Sequence, residues 1–598
     1  MSIRFLPTVL LFLFLALQAN TLAAQVALRV PVDTVQAEAQ TTIRDARDAQ
    51  RRFEIDRVRW LPATASRRYG ACDEMLGRMC LRNDEGGDWY PGPEDPRITR
   101  AREELLVVLA AAGTLGDPWI LGQRVVYLGE AGRWDEAHSL AAAACSGGDG
   151  DGWCRALEGL ALHSLGRFLE SESAFRVALV LMDAERTRSW NDPEPLLDSE
   201  GRAWWNSLSE SVRPDRAGFV WALADPFLLV PGNDGLTEFW SRWTVIETRV
   251  AARNTYGMRW GSDLEQLTAR YGWEVGWERE EYLPLDPGTR GAVVGHHHPE
   301  SRPLLPDGGV FQDPALATEQ AWIPDAFRPR SGYAPAYAPI VLPGAGQLAI
   351  FPRGNRFVLV GALALPEDTT FHAKHFHPNR EDASPPWRGR ASEAGLFLIP
   401  VDGQGATLAT RAVGREQGGF TLEAPAGRWV ASLEVIAPER RRAGRTRVGV
   451  VVAVAHPGQV TLSDLLLVDG ALPAGASLED AAARALPRNW LAQGERLAIA
   501  WELFGLEDDP EPLLYRLTVE KMDIGLLRRA GRWLRILGSP RVWRVDWEEV
   551  GSERPGLALR SVEVDLPELD PGSYEVRLEV RGGWGIPLVG TRTVEVRR

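Results

Sequence analysis

What this chain has little of narrows the field first. Cysteine occurs four times in 598 residues, at Cys72, Cys80, Cys145 and Cys154. Each close pair, CDEMLGRMC and CSGGDGDGWC, is expected to close a local disulfide if the chain is exported, and pairing leaves no thiol for nucleophilic catalysis. A four-thiolate zinc site is the rival arrangement, but its usual gap of about two to four residues within a pair is missing here. Long apolar runs are also absent: beyond the first 24 residues no segment reaches the roughly 18 uncharged residues of a transmembrane helix. Positive charge is in deficit, with a formal net charge of −14, which argues against a nucleic-acid partner. Nothing reads as a nucleotide-cradling glycine loop, a serine nucleophile elbow or a helical H-E-x-x-H metal motif.

What is present begins with a leader. Residues 1–24, MSIRFLPTVLLFLFLALQANTLAA, place Arg4 before an apolar run from Phe5 to Leu17 and small residues at Thr21, Ala23 and Ala24. This is the pattern of a cleavable secretory signal, so a secreted or periplasmic chain is expected. Tryptophan, at 23, outnumbers phenylalanine and tyrosine. Such large rings are expected to anchor interfaces between elements.

The strongest internal signal is a repeat. LGEAGRWDEAHSLAAAA from Leu128 and LHSLGRFLESESAFRVA from Leu162 align Gly132 with Gly166, Arg133 with Arg167, Trp134 with Phe168 and Ala144 with Ala178, a period of 34 residues. In this spacing and in these residues the stretch resembles the tetratricopeptide repeats, each a helix, a tight turn and an antiparallel helix. The resemblance covers about residues 118–185. The small residue it expects in the first helix is Gly159 in one copy but Val125 in the other. ITRAREELLVVLAAAG upstream and GLTEFWSRWTVIETRVAARN downstream read as flanking helices, the latter with Leu236, Phe239, Trp240, Trp243 and Val250 on one stripe. Such repeats imply a concave face for a protein or peptide of the cell envelope, with Arg124 and Tyr127 as its candidate contacts.

The expected architecture is therefore α+β and multidomain. An N-terminal segment, 25–97, carries the Cys72/Cys80 loop and precedes a helical domain at 98–272. A Pro- and Gly-rich connector follows at 273–338. Two antiparallel β-sandwich domains are then expected at 339–475 and 488–598, from short apolar runs of period two between Gly, Pro and charged turns. LDPGSYEVRLEV resembles a late hairpin of immunoglobulin-like and fibronectin-like modules. WGSDLEQLTARYGWE and SDLLLVDG are similar to elements of secreted bacterial GWxTD-domain proteins, with the motif's order reversed at Trp260-Gly261 and Ser262 in place of its threonine. That family implies a habitat and no mechanism.

Five stretches could carry chemistry. His296, His297 and His298 in the connector, with His372, His375 and His377 in FHAKHFHPNRED, could share a transition metal such as zinc, with Glu300, Glu381 or Asp382 as oxygen ligands. No single helix or strand presents all three of His372, His375 and His377, because their spacing fits neither period. This is the basis of the alternative reading, a metal-dependent envelope enzyme; the simpler reading is loop imidazoles stacked on aromatic rings. GGDGDG resembles half a calcium loop but lacks its remaining ligands. Residues 524–538, IGLLRRAGRWLRILG, put Leu526, Ala530, Trp533 and Leu537 on one helical stripe among four arginines, which suits peripheral contact with an anionic membrane or a cap on a sandwich. ERRRAGRTR, 439–447, reads as a solvated hairpin tip that could meet anionic polymers. The favoured function is a non-catalytic protein-interaction or scaffold module.

Overall fold

A computed structural model describes residues 32–64, 74–81, 92–147, 152–280, 293–297, 301–323, 331–338, 340–343, 346–365, 390–402, 406–440, 442–456, 458–506, 512–522, 542–550, 557–567 and 569–598. The N-terminal half is helical and the C-terminal half is sheet. Residues 1–24, Cys72, most of GGDGDG, His298, Glu300, the His372–His377 stretch with Glu381 and Asp382, and residues 524–538 lie outside the described residues.

The helical half runs α1 (Val32–Trp60), α2 (Pro96–Ala112), α3 (Pro118–Glu130), α4 (Trp134–Cys145), α5 (Trp153–Ser164), α6 (Phe168–Leu181), α7 (Ala184–Asn191), α8 (Ser199–Ser207), α9 (Arg213–Ala224), α10 (Asp234–Val250) and α11 (Ser262–Tyr271). The two hairpins α3/α4 and α5/α6 turn identically. Gly132 and Gly166 adopt φ of 74° and 73°, and the amide of the next residue reaches back to Leu128 and Leu162, each at 2.9 Å. This is the left-handed helix ending that glycine adopts without a Cβ penalty. Behind the turns, a Cβ on Gly129 would strike the Trp134 ring and one on Gly159 the Phe175 ring. A disulfide joins Cys145 at the end of α4 to Cys154 at the start of α5, and Cys80 is disulfide-bonded as well.

α10 runs across the face built by α3 and α5. Gln123 of α3 donates to the Thr248 carbonyl at 2.7 Å, and His163 of α5 meets Thr237 and Glu238 at the other end of α10. α1 covers the remainder of α3, with Phe53 edge-on to Tyr127.

The sheet half is a stack. A five-stranded sheet, ordered Leu408–Val413, Glu393–Pro400, Gly427–Ala437, Arg442–Val452, Ile340–Pro343, lies against a three-stranded one, Gln417–Pro425, Arg356–Ala364, Gly346–Arg353. Leu359, Leu363, Leu396, Leu398 and Leu433 form the core between them. The alternate residues of the three-stranded sheet, Ala349, Phe351, Val358 and Val360, pack instead on Leu466, Val468, Ala498 and Ala500. These belong to a third sheet centred on Leu497–Phe504, whose far face (Ile499, Trp501) buries against Leu517, Val576 and Leu578 of a fourth. Inner strands buried on both faces explain continuous runs such as RFVLVGALA and LAIAWELF, which alternation alone would not produce.

The first sheet's outer face seals onto the helical half. Phe397, Ile436 and Ala443 join Phe168, Phe227 and Tyr337 in one cluster. Residues placed in the connector by their composition enter the main core through Leu304, Leu305, Phe311 and Trp322. No helix among the described residues is long and apolar enough to cross a membrane.

Candidate functional site

The sequence of α10, DGLTEFWSRWTVIETRV, carries two stripes. Leu236, Phe239 and Trp240 form the apolar one and are buried as expected, whereas Val250 is exposed. The polar one, Asp234, Thr237, Glu238, Ser241, Arg242 and Thr248, is buried too. Asn233 caps the helix by accepting the Leu236 amide at 2.9 Å, which sets Asp234 in the first turn, where the helix dipole favours a carboxylate.

Most polar residues of the stripe meet a group distant in sequence, whereas the Ser241 hydroxyl is buried without a hydrogen-bond partner. Glu238 accepts from Arg242 Nε at 2.7 Å and from His163 Nε2 at 2.8 Å. Arg242 also donates to the Ala269 and Arg270 carbonyls that end α11 and to the Gly332 carbonyl. Asp234 Oδ2 accepts from the Tyr333 and Tyr337 hydroxyls, each at 3.1 Å, while Asp234 Oδ1 is buried with no protein partner. Farther along, Arg249 pairs with Glu274 at 2.9 Å, and Tyr256 donates to the same carboxylate. A second group, Glu54, Arg57, Tyr127 and Glu130, lies across a cavity of about 30 Å³.

Burial and charge drive the protonation states apart. Burial pushes the Asp234 carboxyl up to about 7, against the two tyrosine hydroxyls that hold it down. Glu238 is equally buried, but Arg242 and His163 outweigh that and bring it to about 2. Burial lowers the His297 imidazole to about 4. Divergent carboxyl groups of this kind mark sites of chemistry in other proteins. Asp234, Glu238 and His297 line neither of the two small cavities found nearby. The cavity by Glu54 and Glu274 is about 30 Å³ and the one by Arg302, Tyr333 and Arg445 is about 20 Å³, room for a water or two against the roughly 300 Å³ of a small-molecule site. The stripe is a polar core that locks α10 in place.

The expected site residues are placed as follows. Tyr127 is only 3% exposed, its hydroxyl 2.6 Å from Glu54 of α1, so it faces a helix of its own chain. Arg124 is half-buried over Gly113, and desolvation depresses its pKa. The His297 ring lies tilted against Tyr271, with centroids 5.8 Å apart, and both its ring nitrogens are shielded and without a hydrogen-bond partner. Among the described residues no group of three or more His, Cys, Asp and Glu side chains is placed to hold a metal ion. Of the basic stretch 439–447, Arg445 and Arg447 are buried at the seam with the helical half, Arg447 donating to the Leu223 and Asp225 carbonyls. Asp263 of WGSD binds Arg78 through both oxygens and so clamps the hairpin Glu74–Leu81 onto α11. SDLLLVDG gives the third sheet its strand Leu466–Leu467, and its Asp464 accepts the Ile350 amide of the second sheet at 2.8 Å.

The polar stripe was missed in the sequence because polar residues opposite an apolar stripe read as a solvent face. The one available hint was its mixed sign, acid at Asp234 and Glu238 and base at Arg242 and Arg249.

No family model and no curated protein matches the sequence. Among solved structures, red sea bream transglutaminase is similar at TM-score 0.13 and 13% identity over 42% of this chain and 31% of its own. The chain thus spans under a third of that enzyme's length. The FN1–FN3 domains of chicken CNTN1 are similar at TM-score 0.12 and 10% identity over 44% of this chain and 69% of theirs. Likeness at this level carries no argument about fold or activity.

Proposed function

We propose that this chain is an exported, non-catalytic scaffold of the cell envelope whose tetratricopeptide-like hairpins bind a protein through their outer layer. The observation that carries the reading is the open apolar stripe of α6. Leu169, Val177 and Val180 are 58, 47 and 84% exposed, on a helical array whose inner face is filled by its own α10. Scattered exposed aliphatic residues are ordinary, whereas a line of them along one helix, interrupted only by the exposed Ser173, suits a contact. The 34-residue period with matched turns supports the repeat assignment, and two pairs of facing, mainly antiparallel sheets, each pair with one parallel edge strand, support immunoglobulin-like or fibronectin-like modules in the other half. The Cys145–Cys154 disulfide suits an oxidising compartment. Sealed sheet to sheet, the C-terminal half acts as a stiff arm for the helical head.

A photo-cross-linking residue at Val177, in the full chain expressed with its leader, tests this. The expected result is an adduct with one protein, identified by mass spectrometry and lost when Val180→Glu is added. Labelling no stronger than from the exposed control position Val451 overturns it.

A further inference from the structure

The two disulfides of this chain differ in exposure. Cys145 and Cys154 bond to each other and are 7 and 5% exposed, sunk between α4 and α5. Cys80 is disulfide-bonded too, so its partner is Cys72, the one cysteine left. Unlike the other pair, Cys80 is exposed. It lies on a hairpin of strands Glu74–Leu76 and Met79–Leu81, directly opposite Met75, which is 59% exposed. The outward face of the hairpin therefore carries two sulfur side chains. Its inward face is seated on α11: Leu76 buries against Leu264 and Leu267, Arg78 holds Asp263 through Nε at 2.5 Å and Nη2 at 2.8 Å, and Glu74 accepts from Arg270 and the Tyr271 hydroxyl. None of these contacts uses Cys80 or Met75.

We propose that Cys80 is a thiol–disulfide exchange site for a dithiol reductant, and that the bond it makes locks the hairpin as a strap over α11. A buried disulfide is shielded from an attacking thiolate, whereas an exposed one is open to it. Met75 adds a pliant apolar contact beside the bond, which suits docking of the reductant. In the exchange a thiolate of the dithiol attacks the Cys80 sulfur, the bond to Cys72 breaks, and Cys72 leaves as a thiolate that takes up a proton. The second thiol of the reductant then attacks the mixed disulfide and releases Cys80 as a thiol, so the chain gains two electrons and two protons and the dithiol becomes a disulfide. Opening the short loop from 72 to 80 returns the freedom that the link removed, a factor of up to about a hundred in how often the strap lifts. The inward contacts still seat it, so reduction loosens the strap and leaves the rest of the chain folded. Beneath it lie Leu264 and Leu267, 2 and 1% exposed, the apolar flank of α11 that a lifted strap bares.

The test uses the purified, oxidised chain with dithiothreitol as the dithiol. Samples are quenched in acid over time, alkylated and read by peptide mass spectrometry, while amide hydrogen exchange is followed over α11, residues 262–271. Cys72 and Cys80 are expected to become alkylated about tenfold faster or more than Cys145 and Cys154. Exchange in α11 is expected to rise by about ten- to a hundredfold once they have reacted. The double variant Cys72→Ser, Cys80→Ser should show that faster exchange without any reductant. Equal rates at the two disulfides overturn the exchange site, and unchanged exchange in α11 after reduction of Cys80 overturns the lock. Both readings come from the wild-type chain, so they decide the matter even where the double variant fails to fold.

Discussion

Arg447 and Glu434 lie 3.6 Å apart with neither side chain exposed. Both belong to the first sheet and face the helical half. Arg447 binds the Leu223 and Asp225 carbonyls at the C-terminal end of α9, and Glu434 accepts from Ser432 and from the Leu229 amide. The arginine also lies over the Trp322 ring at 5.2 Å. This is a fully desolvated ion pair that bolts the sheet stack to the helices. Removing one partner strands the other in the seam.

Arg447→Ala is accordingly expected to cost about 3 to 5 kcal/mol. It should also split thermal unfolding into two transitions, helical and sheet, where the wild type shows coupled unfolding. Differential scanning calorimetry reads both effects; a single transition at the wild-type temperature would contradict the bolt.

The pH dependence follows from Asp234 and His297. Asp234 is raised to about 7, so the stability its protonated form contributes is present at acid pH and is lost as pH rises through about 7. His297 is lowered to about 4, so its neutral ring contributes above the ordinary histidine range and is lost as pH falls toward 4. Asp234→Asn should flatten the decline in melting temperature between roughly pH 4 and 7, by an amount worth about 1 to 3 kcal/mol. His297→Phe should instead remove a rise in stability between roughly pH 4 and 6.5, so within one window the two variants change the slope with opposite signs, which melting curves from roughly pH 4 to 8 will separate.

The two hairpin turns should respond alike. Gly132→Ala and Gly166→Ala each force a Cβ into left-handed backbone and are expected to cost about 1 to 2 kcal/mol apiece. Denaturant titration of the single and double variants should give additive losses, since the turns are separate sites.

Metal content should not depend on His297. The cationic Arg242 and Arg249 lie close enough to depress its pKa, a poor setting for a divalent cation. Elemental analysis of His297→Phe should match wild type, whatever the triple variant His372→Ala, His375→Ala, His377→Ala shows. Loss of metal in His297→Phe alone would contradict this.

Much of the local structure was legible in the sequence. The 34-residue period located the turns at Gly132 and Gly166, the close cysteines located the Cys145–Cys154 link, and the apolar runs located the strands, because each depends on neighbours in the chain. Only the tertiary structure decided which faces meet water. Tyr127 looked like a groove contact until α1 covered it, and the polar stripe of α10 looked solvated until His163, Tyr333 and Tyr337 closed on it. Arg445 and Arg447 looked like an exposed basic tip and instead lie in the seam. The physical reason is common to all three: periodicity fixes which side of an element is apolar, whereas the burial of its polar side depends on partners about 70 to more than 200 residues away, and these come together only when the whole chain folds.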